Sequence, residues 1–301
     1  MDGTSRTPTL TLPQAGGGNG KVRLGVQSNK KTIAFLFAMP LLGIMALFEI
    51  APLLQIAWNS LHDADGQMTW TNYAEILGSR FQRKSFETSI IISVGSALFG
   101  IAVGLPIANT LRTMPVRLQQ TVLTYANIGS NFTGFPLAFA FIIMFGMSGS
   151  FTLLLVKAGI VDTLNIYSTG GLVLVYAYLQ VQLGVLLLFP ALGAITADIE
   201  EMATMVGASR LKFWWRIGLP ILAPSLIGSF ILLFANAMGT YATAYALVGL
   251  NANLVTLRIG ELAAGDVYSD PQLADTLATL LILVLVVPVI VEQTLLRRRR
   301  K

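Results

Sequence analysis

Few residues in this chain of 301 could carry covalent or metal chemistry. It contains no cysteine, which excludes thiol catalysis, disulfides and cysteine metal sites. The single histidine, His62, argues against a metal centre. The run Gly16 to Lys21 approaches a phosphate-binding loop, but its first glycine is off register and Val22 stands where Ser or Thr is required. We therefore predict no catalytic residue, no bound cofactor and no metal in this chain.

A second group of side chains is polar yet lies inside long apolar runs. Polar groups there are costly in lipid, so they usually face a bundle interior or a water-filled cavity. Each could line a solute pathway or hydrogen-bond a neighbouring helix. Gln180 and Gln182 are two residues apart and point to different faces, so at most one of them lines a pathway. The candidate pathway residues are Asn127, Asn131, Gln180, Gln182, Asn236, Tyr241 and Thr243.

Glu49 is the only acid that the sequence places deep in an apolar run. A charge at a helix centre costs roughly 2.5 to 3.5 kcal/mol on the insertion scale. Counted from Thr32 at about 1.5 Å per residue, Glu49 lies about 26 Å along the helix, near its outer boundary. Two interpretations stay open: the carboxylate snorkels to the interface, or it attracts a cationic solute at the outer mouth.

The longest segment between two apolar runs precedes the fifth run and has its own helix signals. Asp198 followed three positions later by Glu201 predicts a capping box that opens a short helix. Gly207 can take the left-handed geometry that ends it. Ser209 can cap a second short helix that runs through Arg216. The residues predict a helix, a glycine bend and a helix, and in the plainest interpretation Glu201 and Gly207 do no more than cap and end them.

This segment resembles the EAA loop of binding-protein-dependent ABC importer permeases. The family pattern is E-A-A, three residues, G, nine residues, I, any residue and L-P, and every spacing agrees, with Met202 in place of the first alanine. The resemblance implies that the segment sits in a groove on a separate ATPase and passes its closure to the membrane helices. The implied ATPase-coupling residues are Glu201, Met202, Ala203, Gly207, Ala208, Ser209, Arg210, Ile217, Leu219 and Pro220.

The same resemblance implies a set of partners. It implies two ATP-binding subunits, which bind ATP and Mg, a homologous or identical second permease subunit, and an extracytoplasmic solute-binding protein. It places the chain among the lipids of the bacterial inner membrane, with no nucleic acid partner. Two stretches, Thr71 to Tyr73 and Asn131 to Ala138, resemble the spermidine/putrescine branch, which implies a polyamine or similar small organic cation as solute. Aminoethylphosphonate and ferric iron are the alternative solutes.

Two other classes of membrane protein compete with this interpretation. A stand-alone secondary transporter or channel commonly shows internal repeats and intramembrane coupling acids, and the sequence shows neither. A membrane-embedded enzyme needs a cluster of catalytic acids, histidines or nucleophile-base pairs, which the sequence also lacks. The importer permease therefore remains the preferred function.

The elements that position these residues follow from composition. Hydrophobic residues make up 54% of the chain and charged residues 12%, whereas about 25% is usual for a soluble domain. Runs of about 20 apolar residues are long enough to cross a bilayer as helices. We predict an all-α integral membrane protein, with helices bent at Pro40, Pro52, Pro106, Pro136 and Pro288. The six runs are Thr32 to Trp58, Phe86 to Asn109, Thr121 to Gly146, Gly171 to Ala191, Leu222 to Gly249 and Leu273 to Val291.

Orientation follows from the basic residues, which stay in cytoplasmic loops. With a cytoplasmic N-terminus, 15 of the 20 Lys and Arg residues lie on the cytoplasmic side, so both termini and the coupling helices between spans four and five are predicted there. Residues 1–29 are rich in Gly, Pro, Ser and Thr and predict a disordered cytoplasmic tail. Residues 30–296 form the permease domain, and 297–301 a basic cytoplasmic end that lies against anionic headgroups.

Overall fold

The computed structural model describes residues 37–63, 65–264 and 269–299, with side chains as far as 294. The predicted tail, the first residues of the first apolar run and the last two residues of the basic end lie outside this part. The chain divides into two compact units, one ending at Leu53 and the other beginning at Leu54. Regular structure in the described part is helical, apart from one isolated bridge between His62 and Met68.

The described residues form twelve helices. The first six are α1 Phe37–Asn59, α2 Thr71–Gly78, α3 Arg80–Leu111, α4 Val116–Asn131, α5 Phe135–Phe145 and α6 Ser150–Lys157. The others are α7 Thr169–Ala191, α8 Ala197–Met205, α9 Arg210–Met238, α10 Ala242–Val248, α11 Val255–Ala264 and α12 Pro271–Arg299.

Six helical stretches in the described part are long and apolar enough to cross a membrane, which confirms the predicted number. They are Phe37–Asn59, Arg80–Leu111, Phe135–Lys157, Thr169–Ala194, Arg210–Met238 and Pro271–Thr294.

The third crossing corrects the sequence-based prediction of one helix from Thr121 to Gly146. Helix α4 ends at Asn131 and α5 begins at Phe135, because Gly134 between them has a φ of +75°, which is incompatible with a right-handed helix. Pro136 therefore lies in the first turn of α5 and bends no helix.

Helices α4 and α5 both contact α7. The Gln182 side chain of α7 fills the space beside Gly129 of α4. Further along α7, the Tyr178 ring packs edge-on against Phe141 of α5, with ring centroids 5.3 Å apart. The third crossing, Phe135–Lys157, is thus made of α5 and α6, with a non-helical turn at 146–149 between them, and α4 precedes it.

One proline in α1, Pro52, and one in α9, Pro220, follow widened turns. A proline cannot donate to the carbonyl four residues back, and its ring clashes with that group. In α9 a π-helical turn, Trp214–Gly218, precedes Pro220, and in α1 the turn Ala46–Ile50 precedes Pro52. As a result the predicted second short helix, through Arg216, does not stop there but continues into the fifth span as one helix.

Helices α3 and α7 approach until their backbones touch. A Cβ atom added to Gly100 would lie 2.6 Å from the Gln180 carbonyl oxygen, and one added to Gly184 would lie 2.7 Å from the Gly100 carbonyl oxygen. Gly104 meets the backbone at Gly184 in the same way. Gly100 and Gly104 are four residues apart in the sequence, a spacing typical of a small-residue face for close helix packing, and in the structure they form such a contact.

Candidate functional site

Helix α8 opens the segment that the sequence assigns to coupling, and it begins differently from the prediction. Its N-cap is Thr196, with extended backbone and no side-chain cap bond. Asp198 is already the second helical residue, so the predicted capping box between Asp198 and Glu201 does not form. The acids Asp198 and Glu200 instead lie in the first turn, where negative charge favours the positive end of the helix dipole.

The predicted bend after α8 is present at Gly207. This residue has a φ of +72°, which disfavours any side chain, although a Cβ there would meet nothing within 4 Å. The Ala208 amide donates to the Ala203 carbonyl at 3.0 Å and thereby closes the end of the helix. Ser209 then caps α9 as predicted, since its hydroxyl accepts from the Lys212 amide at 3.3 Å. Arg210 is the first residue of α9.

Helix α8 divides its side chains between a core and an exposed surface. Ala203 is 6% exposed and belongs to a cluster of buried apolar residues. Outside that cluster, Met202, Met205 and Val206 form an exposed group, here named the apolar patch, in which Met205 is 88% exposed. Glu201 is exposed beside the patch. An exposed apolar patch outside the membrane spans is typical of a binding surface.

The cluster beneath the apolar patch joins four segments of the chain. Ala203 shares it with residues of α3, α7 and α9, and the coupling candidates Ala208 and Ile217 pack against it while half-buried. Leu219 is half-buried and Pro220 is exposed, both immediately after the widened turn of α9. The buried members of the cluster are Ala108, Leu188, Leu192, Ile195, Ala203, Phe213 and Leu222.

A polar contact missed by the sequence analysis fixes α8 at this place. Arg112, just beyond the end of α3, donates to the Glu200 carboxylate and to the Ile195 carbonyl oxygen, the latter at 3.0 Å. Its Nε also donates to Asn109 Oδ1 at 2.9 Å. The sequence contained one signal for this contact. A second acid, Glu200, directly precedes Glu201 and is predicted on the same side of the membrane as Arg112.

Two of the candidate pathway residues hold helices together. Gln180 is buried and donates from Nε2 to the Leu233 carbonyl of α9 at 2.7 Å. The buried Thr243 hydroxyl accepts from the Gly134 amide at 2.8 Å and so joins the break between α4 and α5 to the start of α10. Gln182 is also buried, and within the described part of the chain its Oε1 has no hydrogen-bond partner.

The other candidates are exposed and lie near two helix breaks. Asn131 ends α4 and donates to Asn127 Oδ1 at 2.8 Å. Asn236 lies in the last turn of α9, and Tyr241 precedes α10 with its ring stacked on Tyr245 at 5.5 Å. Amides exposed inside spans would be costly against lipid, so a water-filled cavity or another subunit suits them better.

Two of the acids inside spans, Glu49 and Glu292, differ from the sequence-based picture. Glu49 lies in the π turn of α1, which continues to Asn59. Those ten residues amount to about 15 Å at 1.5 Å each, so Glu49 is nearer the middle of the described helix than its end. Glu292 is a second such acid, because α12 continues past Val291, and a Cβ on Gly228 would lie 2.7 Å from its carboxylate.

These features define a multi-pass helical membrane protein with a broken third crossing and an apolar patch beyond its spans. Residues 89–301 match the family described as binding-protein-dependent transport system inner membrane component. The chain belongs to this family, whose members are transport components and not enzymes.

Curated relatives and solved structures agree with this assignment. The chain is 26% identical to the molybdenum transport system permease protein ModB of Mycobacterium tuberculosis, over 66% of this chain and 76% of that protein. It is 25% identical to the osmoprotective compounds uptake permease protein GgtD of Synechocystis, over 77% of this chain and 75% of that protein. It is 24% identical to the alpha-glucoside transport system permease protein AglF of Rhizobium meliloti, over 65% of this chain and 60% of that protein.

Two solved structures share the fold. One is a chain of a bacterial ABC transporter involved in the import of alginate, with a TM-score of 0.70 and 15% identity, over 91% of this chain and 99% of that one. The other is a chain of the inward-facing MetNI methionine ABC transporter, with a TM-score of 0.53 and 17% identity, over 71% of this chain and 94% of that one. At these identities the likeness concerns the fold alone.

Proposed function

We propose that this chain is a permease subunit of an ATP-driven solute importer, that it forms half of the translocation pathway, and that α8 and the start of α9 couple it to a separate ATPase. The observation that carries the proposal is the apolar patch of Met202, Met205 and Val206, held outside the spans by a helix, a glycine bend and a second helix. Family membership supports it, because the family is defined by dependence on a binding protein.

The geometry around the apolar patch suits a rigid partner groove. Ala203 and Ala208 face the chain's own cluster, so the patch can be covered without unfolding α8. Met202, which replaces alanine in the family pattern, points outward and therefore adds contact area to the partner. In this proposal two ATP-binding subunits hold ATP and Mg, a second permease completes the pathway, and an extracytoplasmic binding protein delivers the solute.

The apolar patch can be tested with one charge. Met205→Asp would bring a carboxylate into an apolar groove, at a cost of several kcal/mol, and we expect the ATPase activity that purifies with the tagged chain to fall at least tenfold. Met68→Asp is the matched control, because Met68 is 68% exposed in the loop between α1 and α2, outside the spans. Both variants should reach the membrane in wild-type amounts. Undiminished ATPase activity with Met205→Asp would remove the coupling role from the apolar patch.

The solute class is a finer proposal with less support. We infer a polyamine or similar small organic cation from the likeness of Asn131 to Ala138 to the spermidine/putrescine branch and from Glu49 inside a span. The relatives described above are named for molybdenum, osmoprotective compounds and alpha-glucosides. The exposed pathway candidates on α4, α9 and α10 are uncharged, so the attraction of a cation in this proposal is assigned to Glu49. Aminoethylphosphonate and ferric iron remain the alternatives.

A further inference from the structure

Arg112 lies where α3 ends and the chain turns towards α4, and its guanidinium connects two parts of the molecule. One bond, from Nε to Asn109 Oδ1 at 2.9 Å, ties the guanidinium to α3 itself. The other two reach the segment that enters α8, at the Ile195 carbonyl and the Glu200 carboxylate. The planar guanidinium is thus held by its own helix and presents its remaining donors to α8.

Only arginine has the donors for this arrangement. Its guanidinium carries five N–H groups in a fixed plane, whereas a lysine ammonium is a single centre on a flexible stem. The three acceptors are a side-chain amide, a backbone carbonyl and a carboxylate, which lie on different sides of the guanidinium. A lysine at this position could retain the ion pair with Glu200 but not all three contacts together.

Open space borders the Arg112–Glu200 ion pair. A cavity of about 480 Å³ is lined by Thr113, Pro190 and Ala197 as well as by the ion pair. A second cavity of about 300 Å³ is lined by Asn109, Thr204 and Trp214 with the same ion pair. Beside these cavities the first turn of α8 is joined to the end of α3 by the Arg112 bonds.

Helix α3 continues from this contact into its close backbone packing with α7. Its glycines Gly100 and Gly104 touch the backbone of α7, so a displacement of α3 also displaces α7. Glu201, one residue after the ion pair, is exposed on the side of α8 that carries the apolar patch. The partner surface and the Arg112 contact are therefore on different faces of one short helix.

We propose that Arg112 is a positioning residue that fixes α8 to the end of α3, so that a movement of α8 imposed by the ATPase is delivered to α3 and α7. This inference rests on the proposed coupling role of α8. It adds Arg112, Glu200 and Asn109 to the residues that transmit the movement, although none of them belongs to the EAA pattern.

The test uses spin labels on the assembled importer. Because the chain has no cysteine, cysteines introduced at Thr110 of α3 and Thr204 of α8 are its only labelling sites, and the chain is labelled before it is assembled with its partners. In the wild type we expect one narrow distance distribution, both without nucleotide and after trapping with ATP and vanadate. Arg112→Gln should at least double its width and reduce binding-protein-stimulated ATP hydrolysis about tenfold. Arg112→Lys should give an intermediate width.

Controls separate the positioning role from simple misfolding. Arg117→Gln removes an exposed charge in the first turn of α4 and should leave width and hydrolysis unchanged. The exchange Arg112→Glu with Glu200→Arg should narrow the distribution again relative to Arg112→Gln. A distribution as narrow as that of the wild type in Arg112→Gln, or in Arg112→Lys if the glutamine variant fails to assemble, overturns the proposal. Absence of an ATPase from the wild-type complex would instead refute the proposed function.

Discussion

Two neighbouring glutamates on α8 show how one helical step separates two roles. Successive residues on a helix point about 100° apart. Glu200 therefore turns towards Arg112, while Glu201 is exposed beside the apolar patch. The family pattern identifies the exposed glutamate, but the inward one becomes visible only when α3 and α8 are placed side by side. A substitution at Glu200 should thus affect the position of α8, and one at Glu201 the contact with a partner.

Glu49 carries the prediction about the solute. If a cationic solute passes this carboxylate, Glu49→Gln removes an attraction of about 1 kcal/mol, which corresponds to about a fivefold loss of uptake. The measurement is uptake of labelled spermidine by cells that carry the complete importer. Glu75→Gln serves as the control, since Glu75 is an exposed acid outside the spans. Uptake of molybdate or a glucoside in preference to spermidine, unchanged by Glu49→Gln, would contradict the polyamine proposal.

The elements of this chain combine a chain break ahead of the third crossing with one very close helix pair. The break between α4 and α5 leaves the Gly134 amide without a helical partner, and the Thr243 hydroxyl, after a second break between α9 and α10, accepts from it. The pair of α3 and α7, in contrast, is regular and packs backbone against backbone. Irregular and regular backbone therefore lie in different helices.

The close helix pair can be tested by adding one methyl group. In Gly184→Ala the new Cβ would lie 2.7 Å from the Gly100 carbonyl oxygen, so the helices must separate. Overpacking of this kind costs about 1 to 3 kcal/mol, and we expect a lower melting temperature of the purified protein. Gly95→Ala on α3 is the control, because a Cβ there meets nothing within 4 Å, and it should be neutral or stabilising. A melting temperature unchanged by Gly184→Ala would contradict the backbone contact.

The whole molecule is organised by the bilayer, which sets the length of each span, and by charge, which sets its orientation. The coupling segment and the Arg112 contact both lie on the side to which the basic residues assign the cytoplasm. The helices α2 and α11 belong to the opposite side in the same assignment. In the proposed importer, a six-span chain with this orientation would present one face to an ATPase and the other to a solute-binding protein.

The orientation is open to direct labelling, since the chain has no cysteine of its own. Single cysteines at Gly66 and Asp162 should react with a membrane-impermeant maleimide in intact spheroplasts. Those at Thr113 and Ser209 should react only after the membrane is opened. The physical reason is the excess of Lys and Arg on the predicted cytoplasmic side. Reaction at Ser209 in intact spheroplasts would place the coupling segment outside and exclude contact with a cytoplasmic ATPase.

The sequence by itself determined the features that depend on local composition and spacing. Long apolar runs specify six spans whatever their neighbours are, because lipid requires each helix to satisfy its own backbone. Gly207 and Ser209 specify a bend and a cap through their own conformations, and both are present as predicted. The small-residue face at Gly100 and Gly104 was visible for the same reason, since close helix packing requires small side chains at that spacing.

The tertiary structure decided what depends on residues distant in sequence. The break at Gly134 is stabilised by Thr243, 109 positions away, and the position of α8 by Arg112, 88 positions from Glu200. Likewise, only the structure distinguishes Gln180 from the exposed pathway candidates, because it shows that the Gln180 side-chain amide donates to the Leu233 carbonyl of another helix. A hydrogen bond needs both partners within about 3 Å, and periodicity along one helix says nothing about which partner another helix supplies.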